Sequence, residues 1–382
     1  MSANRPYDYI ITGAGCAGLS LLVHLARNGN FSEKKILLID QDDKVRNDRT
    51  WCFWQTGEGP FEPIVHKQWS QAWFHSDTIS RLLDLQPYHY KLIRGIDFYR
   101  YCFDVIRKEL NVTVRKGTVK SVRNAEGAAE VQLDDEWIAA DYVFNSILFH
   151  PPVVRTKDHY LLQHFKGRII ETPQPVFDPA QATLMDFRTG QQHGATFVYV
   201  MPFTPQRALV EYTLFNESEL TGEEYDAGLD DYISRILGIQ DYTITDTEQG
   251  VIPMTDHRFP KRDGRIIYTG TAGGQTKASS GYTFDFIQQH SAHITTQLAA
   301  GRDPLHGYHG TPARFRFYDR VLLHILRQRH PSGSAVFSDL FKKNEPRQVL
   351  RFIGNESTLL EELRVISKLP VLPFFKAALQ QL

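Results

Sequence analysis

Apolar and β-branched residues run together over Tyr7-Asp8-Tyr9-Ile10-Ile11-Thr12, give way to Gly13-Ala14-Gly15-Cys16-Ala17-Gly18, and resume at helical spacing from Leu19 to Ala26. The pattern predicts a strand, a glycine-rich turn and a helix in direct succession. A second apolar run, Lys35-Ile36-Leu37-Leu38-Ile39-Asp40, predicts another strand, ending in an acid 22 positions after Gly18. Together these parts make a βαβ unit with a dinucleotide-binding fingerprint. Gly13 permits the tight turn, Gly15 lets a pyrophosphate approach the backbone, and Gly18 lets the helix lie close to the strand. The first amides of the helix then face the phosphates. Asp40 is placed to accept from adenosine ribose hydroxyls, which favours a cofactor without a 2′-phosphate; FAD and NAD both fit.

Further on, residues from about Val112 to Leu148 read as short strands of a β-meander, with a turn at Asn124-Ala125-Glu126-Gly127 and a last strand at Asp141-Tyr142-Val143-Phe144. Another strand, Arg265 to Tyr268, runs into Thr269-Gly270-Thr271-Ala272-Gly273-Gly274, and a helix is predicted from about Phe284 to Ala299. An NAD dehydrogenase has no need of this late loop, whereas flavoproteins place such a loop on the flavin side of FAD. Gly270, Gly273 and Gly274 therefore join Gly13, Gly15, Gly18 and Asp40 as candidate cofactor-binding residues. The stretch from about Tyr160 to Thr247 is strand-rich and includes a hairpin: Thr196 to Met201, a turn over Pro202 to Gln206, then Arg207 to Phe215. From about Thr311 to Leu382 the spacing is helical, opening on Thr311-Pro312 as N-cap and first-turn proline and broken at Pro331, Pro346, Pro370 and Pro373. The fold class expected is α/β: a Rossmann-type FAD-binding flavoprotein fold with an interleaved mixed-sheet substrate domain and a C-terminal helical region. Residues 1–50, 95–150 and 250–305 are assigned to the FAD-binding domain, 51–94 and 151–249 to the substrate-binding domain, and 306–382 to the helical region.

Composition narrows the function. With 42% hydrophobic and 23% charged residues, the 382-residue chain has material for a core and no case for disorder. Lysines and arginines number 43 against 44 acids, so no positive field gathers nucleic acid. Cys16, Cys52 and Cys102 are odd in number and lack CxxC spacing, which disfavours a disulfide framework and a structural zinc, and no metal site is expected. The polar stretch Met1 to Asp8 is unlike a secretory signal, and no transmembrane helix is predicted, so the cytoplasm is the expected compartment. His75, His89, His257 and His290 are scattered singly and carry no assignment.

Candidate chemistry centres on the hairpin. Alternation along Ala208 to Phe215 puts Leu209, Glu211, Thr213 and Phe215 on one face. Burial among mostly apolar neighbours disfavours the charged form, so Glu211 could hold a proton at neutral pH; a solvated acid on an edge strand is the competing reading. Aromatics gather beside the motifs, with Trp51, Phe53, Trp54 and Tyr282 as the candidate substrate pocket. Ring faces stabilise cations, though each ring is also ordinary core material. Arg314, Arg316, Arg320, Arg327 and Arg329 alternate with apolar residues, as in an interfacial helix or a solvated face.

Four stretches resemble the lycopene cyclases, the bacterial β-cyclase group above all: Asp48-Arg49-Thr50-Trp51-Cys52-Phe53-Trp54, Val210-Glu211-Tyr212-Thr213, Gly250-Val251-Ile252-Pro253-Met254-Thr255, and Gly270 to Gly274 continuing to Lys277 and Gly281-Tyr282-Thr283. The resemblance implies a flavoprotein that uses reduced FAD without net redox change, with NAD(P)H as reductant. It would close the linear ends of lycopene, and of related carotenoids, into β-ionone rings, giving β-carotene via γ-carotene. Glu211 would be the acid, and peripheral contact with a membrane would deliver the substrate. Two departures stand out. Tyr212 occupies the place where the family commonly carries a second acid, which argues against a pair of carboxylates there. Thr271 replaces an acid that binds the ribityl chain in many flavoproteins, so the amides of Gly273 and Gly274 are expected to contribute more. An FAD-dependent hydroxylase or prenyl-chain reductase, and a non-catalytic carotenoid carrier, remain as alternatives.

Overall fold

The computed structural model describes residues 5–152, 155 and 158–381; residues 1–4, 153, 154, 156, 157 and 382 of the expected segments lie outside it. β1 (Tyr7–Thr12), α1 (Cys16–Asn28) and β2 (Ile36–Asp40) form the βαβ unit, with Ile10 opposite Leu37 in a parallel pair. Next come β3 (Thr50–Gln55), β4 (Lys67–Trp69), β5 (Gln71–Ser76), β6 (Ile79–Asp84), β7 (His89–Arg94) and α2 (Gly95–Glu109). β8 (Val112–Lys116), β9 (Val119–Ala125), β10 (Ala128–Leu133) and β11 (Glu136–Asn145) follow. The middle of the chain forms β12 (Tyr160–Glu171), β13 (Gln181–Asp186), β14 (Ala195–Thr204), β15 (Arg207–Asn216), α3 (Gly222–Asp231) and β16 (Thr243–Thr255). β17 (Arg262–Asp263), β18 (Ile266–Tyr268) and α4 (Phe284–Ala299) return to the first body. Five helices close the chain: α5 (Ala313–Gln328), α6 (Gly333–Lys343), α7 (Pro346–Ile353), α8 (Leu359–Ile366) and α9 (Val371–Gln380).

Three sheets result. The nucleotide-type sheet runs β17-β18-β11-β1-β2-β8, with β10 on β11 and β9 on β10. β8 pairs parallel with β2 at the far edge, so the meander comprises β9 to β11 only. A seven-stranded sheet runs β16-β12-β15-β14-β13-β5-β6, and a small sheet runs β3-β7-β4. β16 continues to Thr255 within the seven-stranded sheet, crossing the boundary expected at residue 250. Local chemistry explains several element ends. Gly29, at φ 79°, closes α1 in the left-handed conformation that glycine adopts without strain. Thr221 and Glu224 form a reciprocal capping box on α3, as Thr358 and Glu361 do on α8. α5 starts one residue later than the sequence pattern predicts: Pro312 holds the cap position and Thr311 makes no side-chain cap. Pro373 lies within α9 rather than breaking it, because a first-turn amide has no helical acceptor to lose.

The seven-stranded sheet has two faces with different fates. Val210, Tyr212 and Leu214 pack with Tyr225, Leu229 and Tyr232 under α3. Leu209 and Phe215, on the other face, join Tyr199, Met201, Trp54, Tyr90 and the C-terminal helices in the largest core cluster. That second face carries the candidate site.

Candidate active site

Glu211 lies at the middle of β15, opposite Tyr199 of β14 on one side and Gly167 of β12 on the other. Gly167 is also the ladder partner of Glu248 on β16. Directly opposed residues point to the same face, so both glutamates project toward the same interior. Their strands are two spacings apart, about 9.6 Å at the usual ~4.8 Å per strand. Glycine between them leaves that gap open. A Cβ on Gly167 would stand 3.0 Å from Leu209 Cδ1 and 3.1 Å from Glu248 Cγ.

Each carboxyl is held by one hydroxyl. Thr213 donates to Glu211 Oε1 at 3.0 Å, and Thr50 of β3 donates to Glu248 Oε2 at 2.6 Å. Glu248 Oε1 is buried with no donor of its own in the structure. Both carboxyls, with Cys52 and Tyr282, are half-buried. Burial first, and the adjoining Glu248 second, push Glu211 well above the ordinary carboxylate range. Glu248 is also raised by burial, while the bond from Thr50 and the neighbouring Glu211 pull the other way. Thr50 donates to one oxygen of Glu248, which favours Glu248 as the ionised member of the pair.

Aromatic rings complete the chamber. Tyr90 and Tyr282 hydroxyls lie 3.3 Å apart, and Trp54 meets Tyr282 edge-on with centroids at 4.4 Å. The Cys52 thiol lies 3.5 Å from Met201 Sδ. Alternation along β3 divides the aromatics expected to line one pocket. Thr50, Cys52 and Trp54 face the chamber, whereas Trp51 packs on Phe98 at 4.6 Å and Phe53 stacks on Phe284 at 4.3 Å, inside the core against α2 and α4. Of Trp51, Phe53, Trp54 and Tyr282, only the last two join Glu211. Tyr212 likewise points to the opposite sheet face, and the second carboxylate comes from β16 instead of the neighbouring position. Sequence reasoning missed Glu248, Thr50, Cys52, Tyr90 and Tyr199; the alternation of β3 was the available signal for Thr50 and Cys52.

The cofactor candidates fall into two groups. At the first turn, Gly13 has φ 96° and a Cβ there would overlap Ser146, while a Cβ on Gly18 would overlap the Gly13 carbonyl. Gly15 caps α1 without a side-chain bond, and nothing lies within 4 Å of where its Cβ would be. This opening before bare helix amides fits a pyrophosphate. Asp40 accepts from the Ala14 amide at 2.6 Å and the Asp42 amide at 2.8 Å, and borders a cavity of about 330 Å³ with Gly13, Arg49 and Thr118. The dinucleotide fits these residues. In the late loop the expectation changes: the Gly273 amide donates to Thr269 at 3.2 Å and the Gly274 amide to Thr271 at 3.1 Å. Those amides are consumed by the loop's own turn. Gly270 and Gly274 are needed for shape, at φ 60° and 75°, and Gly270 packs beside Ala17 of α1.

The turn, the cavity beside Asp40 and the interleaved sheets define a flavoprotein-type α/β fold. In overall structure the chain is similar to a flavoprotein/dehydrogenase from Cytophaga hutchinsonii, with a TM-score of 0.65 at 11% identity over 98% of each chain. It is also similar to a geranylgeranyl bacteriochlorophyll reductase-like protein from Thermoplasma acidophilum, with a TM-score of 0.60 at 14% identity over 97% of this chain and 95% of that one. At these identities the likeness is one of fold. Within that class the chain belongs to the lycopene cyclase family, whose model, described as lycopene cyclase protein, matches residues 8–379. It is similar to the lycopene β-cyclase of Pantoea ananas, 24% identical over 408 aligned residues that cover 98% of this chain and 97% of the relative.

Proposed function

We propose that this protein is a lycopene β-cyclase in which Glu211 is the catalytic acid. The observation that carries the reading is the Glu211 carboxyl beside the rings of Tyr199 and Tyr282, where burial raises it well above the ordinary carboxylate range and so favours the protonated acid. Glu211 gives its proton to the terminal trisubstituted double bond of a linear carotenoid end. The neighbouring double bond attacks the resulting tertiary cation, and loss of a ring proton leaves the β-ionone ring. Atoms balance without an oxidant. Tyr199, Tyr282 and Trp54 gather beside Glu211, and aromatic rings stabilise positive charge while offering no strong nucleophile to trap it. Gly13, Gly15, Gly18 and Asp40 would hold the dinucleotide part of FAD, with the loop of Gly270, Gly273 and Gly274 beside α1. When bound and reduced, with NAD(P)H as the source of electrons, FAD would supply an electron-rich ring that steadies positive charge.

The substrate is an apolar polyene that resides in bilayers. Among the described residues no helix is long and apolar enough to cross a membrane. The arginines of α5 are engaged within the protein: Arg314 with Glu362 at 2.9 Å, Arg320 with Asp256 at 2.5 Å, and Arg327 with Glu217 at 2.9 Å. We place membrane contact instead on α8 and α9, where Leu360, Leu363, Val371, Leu372, Phe375 and Leu379 are exposed beside Arg364, Lys368 and Lys376. Expression in cells that accumulate lycopene tests the function. A bicyclic product isomeric with lycopene is expected; an oxygenated or hydrogenated product would favour a flavin redox enzyme, and unchanged pigment would contradict both.

A further inference from the structure

We propose that Glu248 is the positioning residue that keeps the catalytic proton on Glu211 between turnovers, and that residue 167 is glycine so that the two carboxyls meet above it. The inference deepens the cyclase reading and rests on it only for the fate of the proton. Three geometric facts support it. Gly167 is the shared ladder partner of both glutamates. Thr50 fixes one oxygen of Glu248 at 2.6 Å, leaving Oε1 buried without a donor. Directly opposed residues share a sheet face, so both side chains stand on the same side of the sheet, where a Cβ on Gly167 would come 3.1 Å from Glu248 Cγ.

One proton shared by such a pair satisfies the orphan oxygen: protonated Glu211 donates, ionised Glu248 accepts. Among the described residues, the groups facing the pair offer no competing cation. Cys52, Tyr199 and Tyr282 face Glu211, with Tyr90 behind them, and Asp246 and Asp48 act on Glu248. When Glu211 delivers its proton, two adjacent carboxylates remain opposite the new cation. That double charge stabilises the cation and makes the pair a strong base, so the ring proton released on closure restores the single shared proton. No net proton is consumed.

The test reads the proton directly, by the infrared C=O stretch of a protonated carboxylic acid in the purified wild-type protein and variants. The wild-type spectrum minus that of Glu211→Gln should show the band at pH 7, since Asp285, which burial raises to about 7, contributes equally to both. Glu248→Gln keeps an acceptor for Thr50 but presents an amide donor to Glu211, so the band should titrate at least one pH unit lower. Gly167→Ala inserts a methyl between the side chains and should move the midpoint the same way, which serves if Glu248→Gln does not fold. An unmoved midpoint in both variants, or no band in that difference at pH 7, would overturn the proposal. Failure of wild type to convert lycopene, with the bands as expected, would overturn the cyclase reading and leave the shared proton standing.

Discussion

Lys277 and Asp319 form a buried ion pair, 2.6 Å apart with side chains 5% and 7% exposed, that ties the segment after the late glycine-rich loop to α5. Ser279 donates to Asp319 at 2.7 Å and Lys277 donates to Asn355 at 2.7 Å, so the pair is set in a hydrogen-bonded network. Removing one partner strands the other charge. Asp319→Asn should cost about 3–5 kcal/mol, and replacing both residues by apolar ones of similar size should cost less. Denaturant unfolding of the two variants measures this. Equal losses would mean that the pair is not the source of the effect.

The opening at Gly15 separates binding from folding. Because nothing lies within 4 Å of its Cβ position, Gly15→Val should fold with wild-type circular dichroism. Its side chain occupies the place of the pyrophosphate, so the purified variant should lack flavin absorbance. Stoichiometric flavin in a folded Gly15→Val protein would contradict the cofactor assignment.

Charge placed on the apolar face of α8 and α9 should release the protein from lipid. Leu372→Glu with Phe375→Glu alters residues 71% and 60% exposed, so the fold has little to lose. In flotation with anionic liposomes the double variant should stay at the bottom while wild type floats, and added salt should weaken wild type only partly, because apolar insertion is not screened. Flotation of the double variant would move the contact elsewhere.

Glu211 also leaves a mark on stability against pH. Its folded-state carboxyl is held well above the ordinary value of 4.5, so below that value it is protonated in both states and has no effect. As pH rises past 4.5 the unfolded chain ionises freely and the folded chain does not, which destabilises the fold by up to about 1.4 kcal/mol per unit until the folded group titrates. Glu211→Gln removes this penalty. The melting temperature of the variant should exceed that of wild type at pH 7–8 and converge with it near pH 4; parallel curves would mean that Glu211 ionises normally.

The βαβ unit, the hairpin of β14 and β15, and α4 are legible in the sequence because each rests on local pattern: glycines at a turn, alternation in a strand, spacing in a helix. Glu211 was legible for the same reason. Glu248 was not, since the register that brings β16 beside β12 is set by long-range pairing that neither segment encodes alone. A glycine inside a strand pattern marks close approach, and Gly167 was that mark. The division of Trp51 and Phe53 from Trp54 follows from a period of two applied from Thr50 onward. What escaped at the C-terminal region was partnership: arginines spaced as an interfacial helix found acids on other elements, and the exposed apolar face formed on the last two helices.

The central claim is that ring closure begins with an exchangeable proton delivered by Glu211. Purified protein with reduced flavin, given lycopene in D₂O, should yield carotene carrying up to one deuterium for each ring formed, the ring proton recovered by Glu211 exchanging with solvent between turnovers, read by mass spectrometry. Glu211→Gln, with its flavin content unchanged, should slow that incorporation by about 10²-fold or more. Rings formed without deuterium, or deuterated at the wild-type rate by Glu211→Gln, would contradict the account.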